Sequence, residues 1–170
     1  ARMRRLALLP VLALLALAPA AAATPATETT ITSFDGTQIS VHLMPQPGST
    51  PAPTVLVGPG WGGAGAQDTS DSAVAFLYKA GYNVVSWAPR GFGDSGGIVG
   101  MDTPSIDGRD VSAIIDYVAA QPWAQLDGPN DPRIGMFGGS YGAGIQYATA
   151  TDDGRVDALD ARTGKLLWSA

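Results

Sequence analysis

The chain of 170 residues predicts an α/β domain, a parallel sheet with helices on both faces and an antiparallel hairpin at its N-terminal side. Three observations carry this. Short, nearly all-apolar runs at 54–58, 83–87 and 133–137 read as strands, the first two as strands buried on both faces. Stretches with apolar residues at helical spacing lie between and after them. Strand and helix alternate, which gives a parallel sheet with right-handed crossovers. Hydrophobic residues make up 45% of the chain, the composition of a packed core and not of a disordered tract.

The N-terminal stretch stands apart from the fold. Arg2, Arg4 and Arg5 form a basic start, residues 6–17 are apolar but for Pro10, and residues 18–23 are small. This reads as a secretory signal peptide, residues 1–23, cut near Ala23. The apolar run is too short and too rich in alanine to serve as a span of ~20 residues, so no stable membrane span is expected after cleavage. The expected location is secreted or cell-envelope. Cleavage would remove three arginines and no acids, taking the formal charge from −5 to −5 − 3 = −8. An acidic domain of this kind is a poor partner for nucleic acid or an anionic membrane. The absence of cysteine excludes disulfides, a thiol nucleophile and thiolate metal sites, and a single histidine excludes a histidine-rich one. No cofactor or metal is expected, and the oligomeric state is left open.

From Thr24 the elements follow in order. Residues 24–28 read as a flexible lead-in. Residues 29–34 and 38–43 alternate polar and apolar around Asp35-Gly36, a hairpin signal. A proline-rich connection, 45–53, leads to the strand at 54–58. The glycine-rich loop Pro59-Gly60-Trp61-Gly62-Gly63-Ala64-Gly65 follows. Asp68, Thr69 or Ser70 is positioned to cap a helix with Val74, Leu77 and Tyr78 on its apolar face, ended by Gly81. The strand at 83–87 runs into a second glycine-rich loop, 89–97. A second helix is expected over about 105–121, with Val111, Ile114, Ile115 and Val118 as its apolar face and Pro122 closing it. A turn-rich stretch, 127–132, leads into the strand of the elbow. The helix after it carries Ile145, Tyr147 and Ala148.

Between that strand and helix lies Gly138-Gly139-Ser140-Tyr141-Gly142. This is G-x-S-x-G in the context the motif requires, with a strand before it and a helix after it. So tight a turn puts the serine on strained backbone, and the flanking glycines leave room for strand and helix to approach. Ser140 Oγ would stand exposed at the carboxyl end of the sheet as a nucleophile. The Tyr141 N–H at the helix start would face an oxyanion on the attacked carbonyl, and Trp61 N–H from the first glycine loop would be its partner. A nucleotide-binding reading of the same loops fails: no G-x-x-x-x-G-K-[ST] is present, and Ala88 stands where a dinucleotide site wants an acid. In the second loop, Arg90 reads as a structural anchor, Phe92 as a structural residue able to wall a pocket, and Asp94 as loop chemistry. His42, the sole imidazole, precedes the serine in the chain, whereas the base of this motif is expected after it. It therefore reads as an ordinary strand histidine.

The segments SFDGTQISVHLMP, PTVLVGPGWGG, GYNVVSWAPRGFGDSGG, DGRDVSAIIDYVAAQP and DPRIGMFGGSYGAGIQYATAT together resemble the N-terminal part of an α/β-hydrolase of the Xaa-Pro dipeptidyl-peptidase-like group. That group includes the S15 peptidases and the cocaine-esterase-like acyl hydrolases. The resemblance implies an α/β-hydrolase fold over residues 24–157, incomplete at the C-terminal side, with Ser140 as nucleophile and a small peptide or ester as substrate. Cocaine-esterase-like members use a tyrosine side chain of the first glycine loop at the oxyanion. Trp61 lies near that place here, so only the backbone role carries over. The family's usual Asp two residues before the loop arginine is Ala88 here, a change that bears on loop stability more than chemistry. The family's catalytic Asp and His lie well downstream of the elbow. No histidine follows Ser140, and Asp152, Asp153, Asp157 and Asp160 come too soon to be the acid. Residues 158–170 form a tail whose origin the sequence leaves open; DGRVDALDARTGKLLW is similar to one quinoprotein-like β-propeller repeat, strand, Thr163-Gly164 turn, strand, a likeness that a fusion, a truncation or chance would each produce. The leading expectation is thus an exported serine hydrolase whose base and acid lie outside these residues. The alternative is a non-catalytic exported protein joined to propeller-like binding repeats.

Overall fold

The structure, a computed structural model, describes residues 22–152, 157–159 and 166–169. The bulk of the signal-peptide expectation, residues 1–21, lies outside them, as does the Thr163-Gly164 turn. A five-stranded sheet forms the centre. It is built from β1 (Thr27–Thr32), β2 (Gln38–Met44), β3 (Thr54–Gly58), β4 (Asn83–Trp87) and β7 (Ile134–Gly138), in the order β1-β2-β4-β3-β7. β1 and β2 are the expected hairpin, and Gly36 takes φ +87° in its turn. β2 runs antiparallel to β4, whereas β3 is parallel to both β4 and β7.

Two of the three apolar runs, β3 and β4, become strands with both faces buried. Every residue of β3 and β4 is buried. Val55, Val57 and Val84 face α1 (Ser72–Lys79), where Val74 meets them. Leu56, Val85 and Trp87 face the other way, onto Val111, Ile114 and Val118 of α2 (Arg109–Ala119) and Ile145 of α3 (Tyr141–Asp152). Removing one such side chain from water contributes about 1.5–3 kcal/mol, so this two-sided burial dominates the fold. β7 is different. Among the described residues it pairs with β3 alone, and Phe137 on it is half exposed. Among the described residues the elbow strand is thus the edge of the sheet.

Several local expectations are corrected. Residues 24–28 are not a loose lead-in: Pro25 bridges Asp68, Ala26 N–H donates to Gln67 O, and β1 begins at Thr27. The α1 cap is Asp71, whose carboxylate accepts from the N–H groups of Ala73 and Val74, and not Asp68, Thr69 or Ser70. Asp68 accepts from Ser70 N–H one turn earlier and only prepares the approach. The second helix does not begin as an α-helix. Pro104–Gly108 form a single π turn that leads into α2. The turn-rich stretch contains a minimal hairpin, β5 (Leu126–Gly128) and β6 (Asp131–Pro132). On α3, Ile145 and Ala148 are buried, but Tyr147 faces solvent. In the tail, β8 (Asp157–Leu159) and β9 (Leu166–Ser169) pair antiparallel, as strand–turn–strand requires.

The topology decides where a site can form. β3 sends its crossover through α1 to β4 on one side. β4 sends the next crossover through α2 back to β7, on the other side of β3. The strand order therefore reverses between β3 and β7, and the crevice at their carboxyl ends is left unbridged. Trp61 follows β3 and Ser140 follows β7, so the two flank that crevice.

Candidate active site

Ser140 lies between the last residue pair of β7 and the first residue of α3, and it is exposed. Its φ is +55°, the left-handed region that favours glycine. A non-glycine residue there costs on the order of 1–2 kcal/mol, and such strain collects at functional turns. The surroundings hold it. A Cβ on Gly138 would lie 2.7 Å from Gly58 O, and one on Gly142 would press on the Gly58 carbonyl and lie 2.9 Å from Pro59 O. Strand, helix and the end of β3 thus meet backbone to backbone, as the flanking glycines foretold. Gln146 adds a tie, its Nε2 donating to Gly142 O at 3.0 Å and to Gly138 O at 3.3 Å. Gly142 N–H donates to Gly139 O, and Ala143 and Gly144 N–H to Ser140 O. The N–H groups just before them stand at the helix start, where no intrahelical acceptor exists. Tyr141 N–H is one of these.

The three glycine-rich segments converge through their aromatic side chains. Trp61 from the loop after β3, Phe92 from the loop after β4 and Tyr141 at the elbow stack edge to face in a three-way cluster. Their ring centroids are 5.1 Å (Trp61–Phe92), 5.3 Å (Trp61–Tyr141) and 5.7 Å (Phe92–Tyr141) apart. The side chains of Trp61 and Tyr141, the residues assigned to the oxyanion from sequence, are thereby in contact. Trp61 is 58% exposed and Tyr141 only 6%, so the cluster has a buried floor and an open rim. A cavity of about 380 Å³ opens on the α1 side, lined by Gly58, Pro59, Gly60, Phe137, Gly138 and Gly139 among others.

Beneath Tyr141 lies an acidic pair that sequence reasoning missed. Tyr141 OH donates to Asp107 Oδ1 at 3.2 Å, and Thr103 N–H donates to Asp107 Oδ2 at 3.0 Å. Asp102 packs its carboxylate on the first turn of α3 at Gly144, and its Oδ1 is buried without a partner. Burial raises the Asp107 carboxyl above its ordinary range, and burial together with the Asp107 charge does the same to Asp102. Burial first, and then the Asp107 charge, pushes the Tyr141 phenol up to about 12. Met101 and Asp102 both have positive φ, so the segment that delivers these acids is itself strained. Asp107 sits three residues before Asp110 at a helix start, the one trace of it in the sequence. The backbone turn at 101–102 leaves none.

Arg90 is the structural anchor expected of it. Nε and Nη2 donate to Asp110 at 2.7 and 2.6 Å, and Nη1 donates to Asp35 at 2.9 Å. Ser33 OH also donates to Asp110, at 2.5 Å. The Asp110 hydrogen bonds chiefly, and Asp35 after them, hold the guanidinium well above its usual value, and Arg90 in turn holds Asp35 well below the carboxylate range. Hairpin turn, second glycine loop and α2 are clamped together. Ala88 is buried, and Ser95 OH donates to its carbonyl at 2.6 Å, so the loop closes without an acid at that position. Asp94 is exposed and apart from the cluster. His42 is buried in the middle of β2 and is not brought to Ser140 as a base. Among the described residues, no group of three or more acidic or histidine side chains is placed to hold a metal ion, and no helix is long and apolar enough to cross a membrane.

Comparison with known proteins bears on this arrangement. An uncharacterised 31.7 kDa protein of the traX-finO intergenic region of Escherichia coli is 30% identical over 81 residues, 48% of this chain and 27% of that protein. Among solved structures, an esterase of Pyrococcus furiosus superposes with a TM-score of 0.54 at 23% identity, over 72% of this chain and 44% of its own. A CocE/NonD family hydrolase from Staphylococcus aureus gives 0.59 at 21% identity, over 74% of this chain and 24% of its own. At such identities the likeness is one of fold. The chain spans about a quarter of the curated relative and less than half of either solved structure. The family model of X-Pro dipeptidyl-peptidase (S15 family) matches residues 35–165, from the hairpin turn past the elbow helix. The chain has the α/β-hydrolase fold and belongs to the X-Pro dipeptidyl-peptidase (S15) family.

Proposed function

We propose that this chain carries the nucleophile-bearing part of an exported serine hydrolase that forms an acyl-enzyme on a small peptide or ester. The observation that carries this reading is Ser140 at φ +55°, exposed between β7 and α3 and held there by backbone contact with β3. Ser140 Oγ attacks the substrate carbonyl. The oxyanion takes the Tyr141 N–H at the helix start and the Trp61 N–H from the loop alongside. The Trp61–Phe92–Tyr141 cluster walls the acyl side of the crevice. The leaving group departs with a proton, and water then releases the acyl group.

The general base and its orienting acid come from outside these residues. His42 is excluded as the base because it is buried and its Nε2 is engaged with Ala64 O. Asp107 is occupied with Tyr141 and Thr103, which makes it a support of the elbow. The basic and apolar stretch at 1–23 supports export, and no cofactor enters the chemistry. The β8–β9 pair favours one further reading, an exported protein in which this domain is joined to propeller-like binding repeats. Gene sequence downstream decides between them: Asp and His on later strands favour the hydrolase, and more repeats of the DGRVDALDARTGKLLW kind favour the binding protein.

A fluorophosphonate probe tests the nucleophile. We expect slow labelling at Ser140, found by peptide mass spectrometry and abolished in Ser140→Ala. Turnover of a proline amide or a simple ester should stay near background, because loss of the base costs many orders of magnitude. Labelling elsewhere, or turnover that survives Ser140→Ala, refutes the assignment.

A further inference from the structure

His42 has no part in the chemistry above, yet it is placed with care. It lies in β2 opposite Glu28 of β1 and Ser86 of β4, and it is 2% exposed. Its Nε2 is 3.0 Å from Ala64 O. A carbonyl oxygen only accepts, so Nε2 carries the proton. Nδ1 is buried with no hydrogen-bond partner, and Glu28 Oε1 stands 3.9 Å from it. Burying an unpaired ring nitrogen costs stability, and an aliphatic residue in this strand would avoid that cost. The Nε2 bond is what the imidazole supplies in return.

That bond ends on the first glycine loop. Ala64 lies on its return limb, three residues after Trp61. Ser86 holds the same limb, accepting from Ala66 N–H at 2.9 Å and donating to Val57 O at 2.8 Å. Gly65 takes φ +82° and lies so close to Trp87 that a Cβ would sit 2.6 Å from its carbonyl oxygen. The outgoing limb, by contrast, is closed by one turn bond, Gly63 N–H to Gly60 O at 3.0 Å. Trp61 rides on that outgoing limb.

We propose that His42 is a positioning residue of the oxyanion loop: by donating Nε2–H to the Ala64 carbonyl it fixes the return limb, and through it the place of the Trp61 N–H beside Ser140. This rests on Ser140 being the nucleophile. His42 itself touches no reacting atom.

The chain has one histidine, so its ring signals in a ¹⁵N spectrum are assigned without ambiguity. We expect the Nε2–H tautomer with a slowly exchanging ring proton. An Nδ1–H tautomer, or a ring proton lost at once to solvent, overturns the proposal in the unsubstituted chain, whatever the variants do. His42→Leu removes the donor, and His42→Gln restores an N–H near the same point. Amide exchange of the 59–66 peptide should rise about tenfold or more in His42→Leu and return to within about threefold of the original in His42→Gln, with β4 unchanged. Labelling of Ser140 by the fluorophosphonate should slow in His42→Leu through its maximal rate and not through probe affinity, and recover in His42→Gln. Equal exchange and equal labelling in all three proteins refute the anchor. Absence of labelling in the unsubstituted chain refutes the serine-nucleophile reading and the oxyanion role with it, and is told apart because tautomer and loop exchange report on the anchor alone.

Discussion

Ser140→Gly should stabilise the chain, which is an unusual expectation for the central residue of a site. Ser140 is held at φ +55°, and its side chain is exposed, so little packing is lost with the hydroxymethyl group. Left-handed backbone costs a residue with a Cβ about 1–2 kcal/mol, a cost that glycine lacks. Glycine also gains freedom in the unfolded chain, which takes back about 0.4–1 kcal/mol. The balance is a gain of roughly 0.5–1 kcal/mol, or about 2–3 °C in Tm for a domain of this size. Ser140→Ala keeps the Cβ and so keeps the strain, and it should match the original chain within about 0.5 kcal/mol. Urea unfolding followed by tryptophan fluorescence, with the slope unchanged, measures both. If Ser140→Gly is no more stable than Ser140→Ala, the turn is relaxed and the argument from strain to function fails.

Three further outcomes follow from contacts already described. Gly142→Ala drives a Cβ into the Gly58 carbonyl and should lose about 1–3 kcal/mol by denaturation together with Ser140 labelling, while Gly135→Ala, with nothing within 4 Å, should be near neutral. Asp110→Ala strands the buried Arg90 guanidinium and should cost about 3 kcal/mol in the same assay, at the low end for a broken buried pair because Asp35 remains on Nη1. Asp102→Asn should stabilise the chain at pH 7. A carboxyl raised in the folded state binds its proton there more tightly than in the unfolded chain, so folding loses stability as pH rises from the ordinary acid range, about 4, through the raised value. The gain of Asp102→Asn should therefore vanish below about pH 4, and a gain that persists there refutes the unpaired-charge explanation.

The sheet was legible because its strands announce themselves. Thr54–Gly58 and Asn83–Trp87 are continuous apolar runs bounded by Pro, Gly or Asn, and both ends of each coincide with the strand observed. The elbow was legible because its geometry demands glycine at fixed positions. Caps were less so: Asp68, Thr69, Ser70 and Asp71 are all competent, and only the packing of Val74 onto Val55 and Val57 decides which one meets the first free N–H groups. The acids under Tyr141 were barely legible, Asp107 only by its place before Asp110 and Asp102 not at all. They reach α3 through positive φ at Met101 and Asp102, which no local propensity signals in those residues, and through a π turn. His42 was set aside as a base, correctly placed in a strand, but its tie to Ala64 depends on a loop fold that alternation of polar and apolar residues does not encode.

The pairing of β3 with β7 has a consequence for how the protein is made. Val55 pairs with Gly135, a separation of 135 − 55 = 80 residues. At synthesis rates of about 5–20 residues per second, the β3 edge waits about 4–16 s for its partner to be made. Until then Ser140 does not exist on a bent backbone, and Trp61 has nothing to face. The positive-φ turn that holds Ser140 is therefore set only when β7, made after the other four strands described, joins the sheet. The same delay leaves an apolar edge open to other chains while β7 is being made.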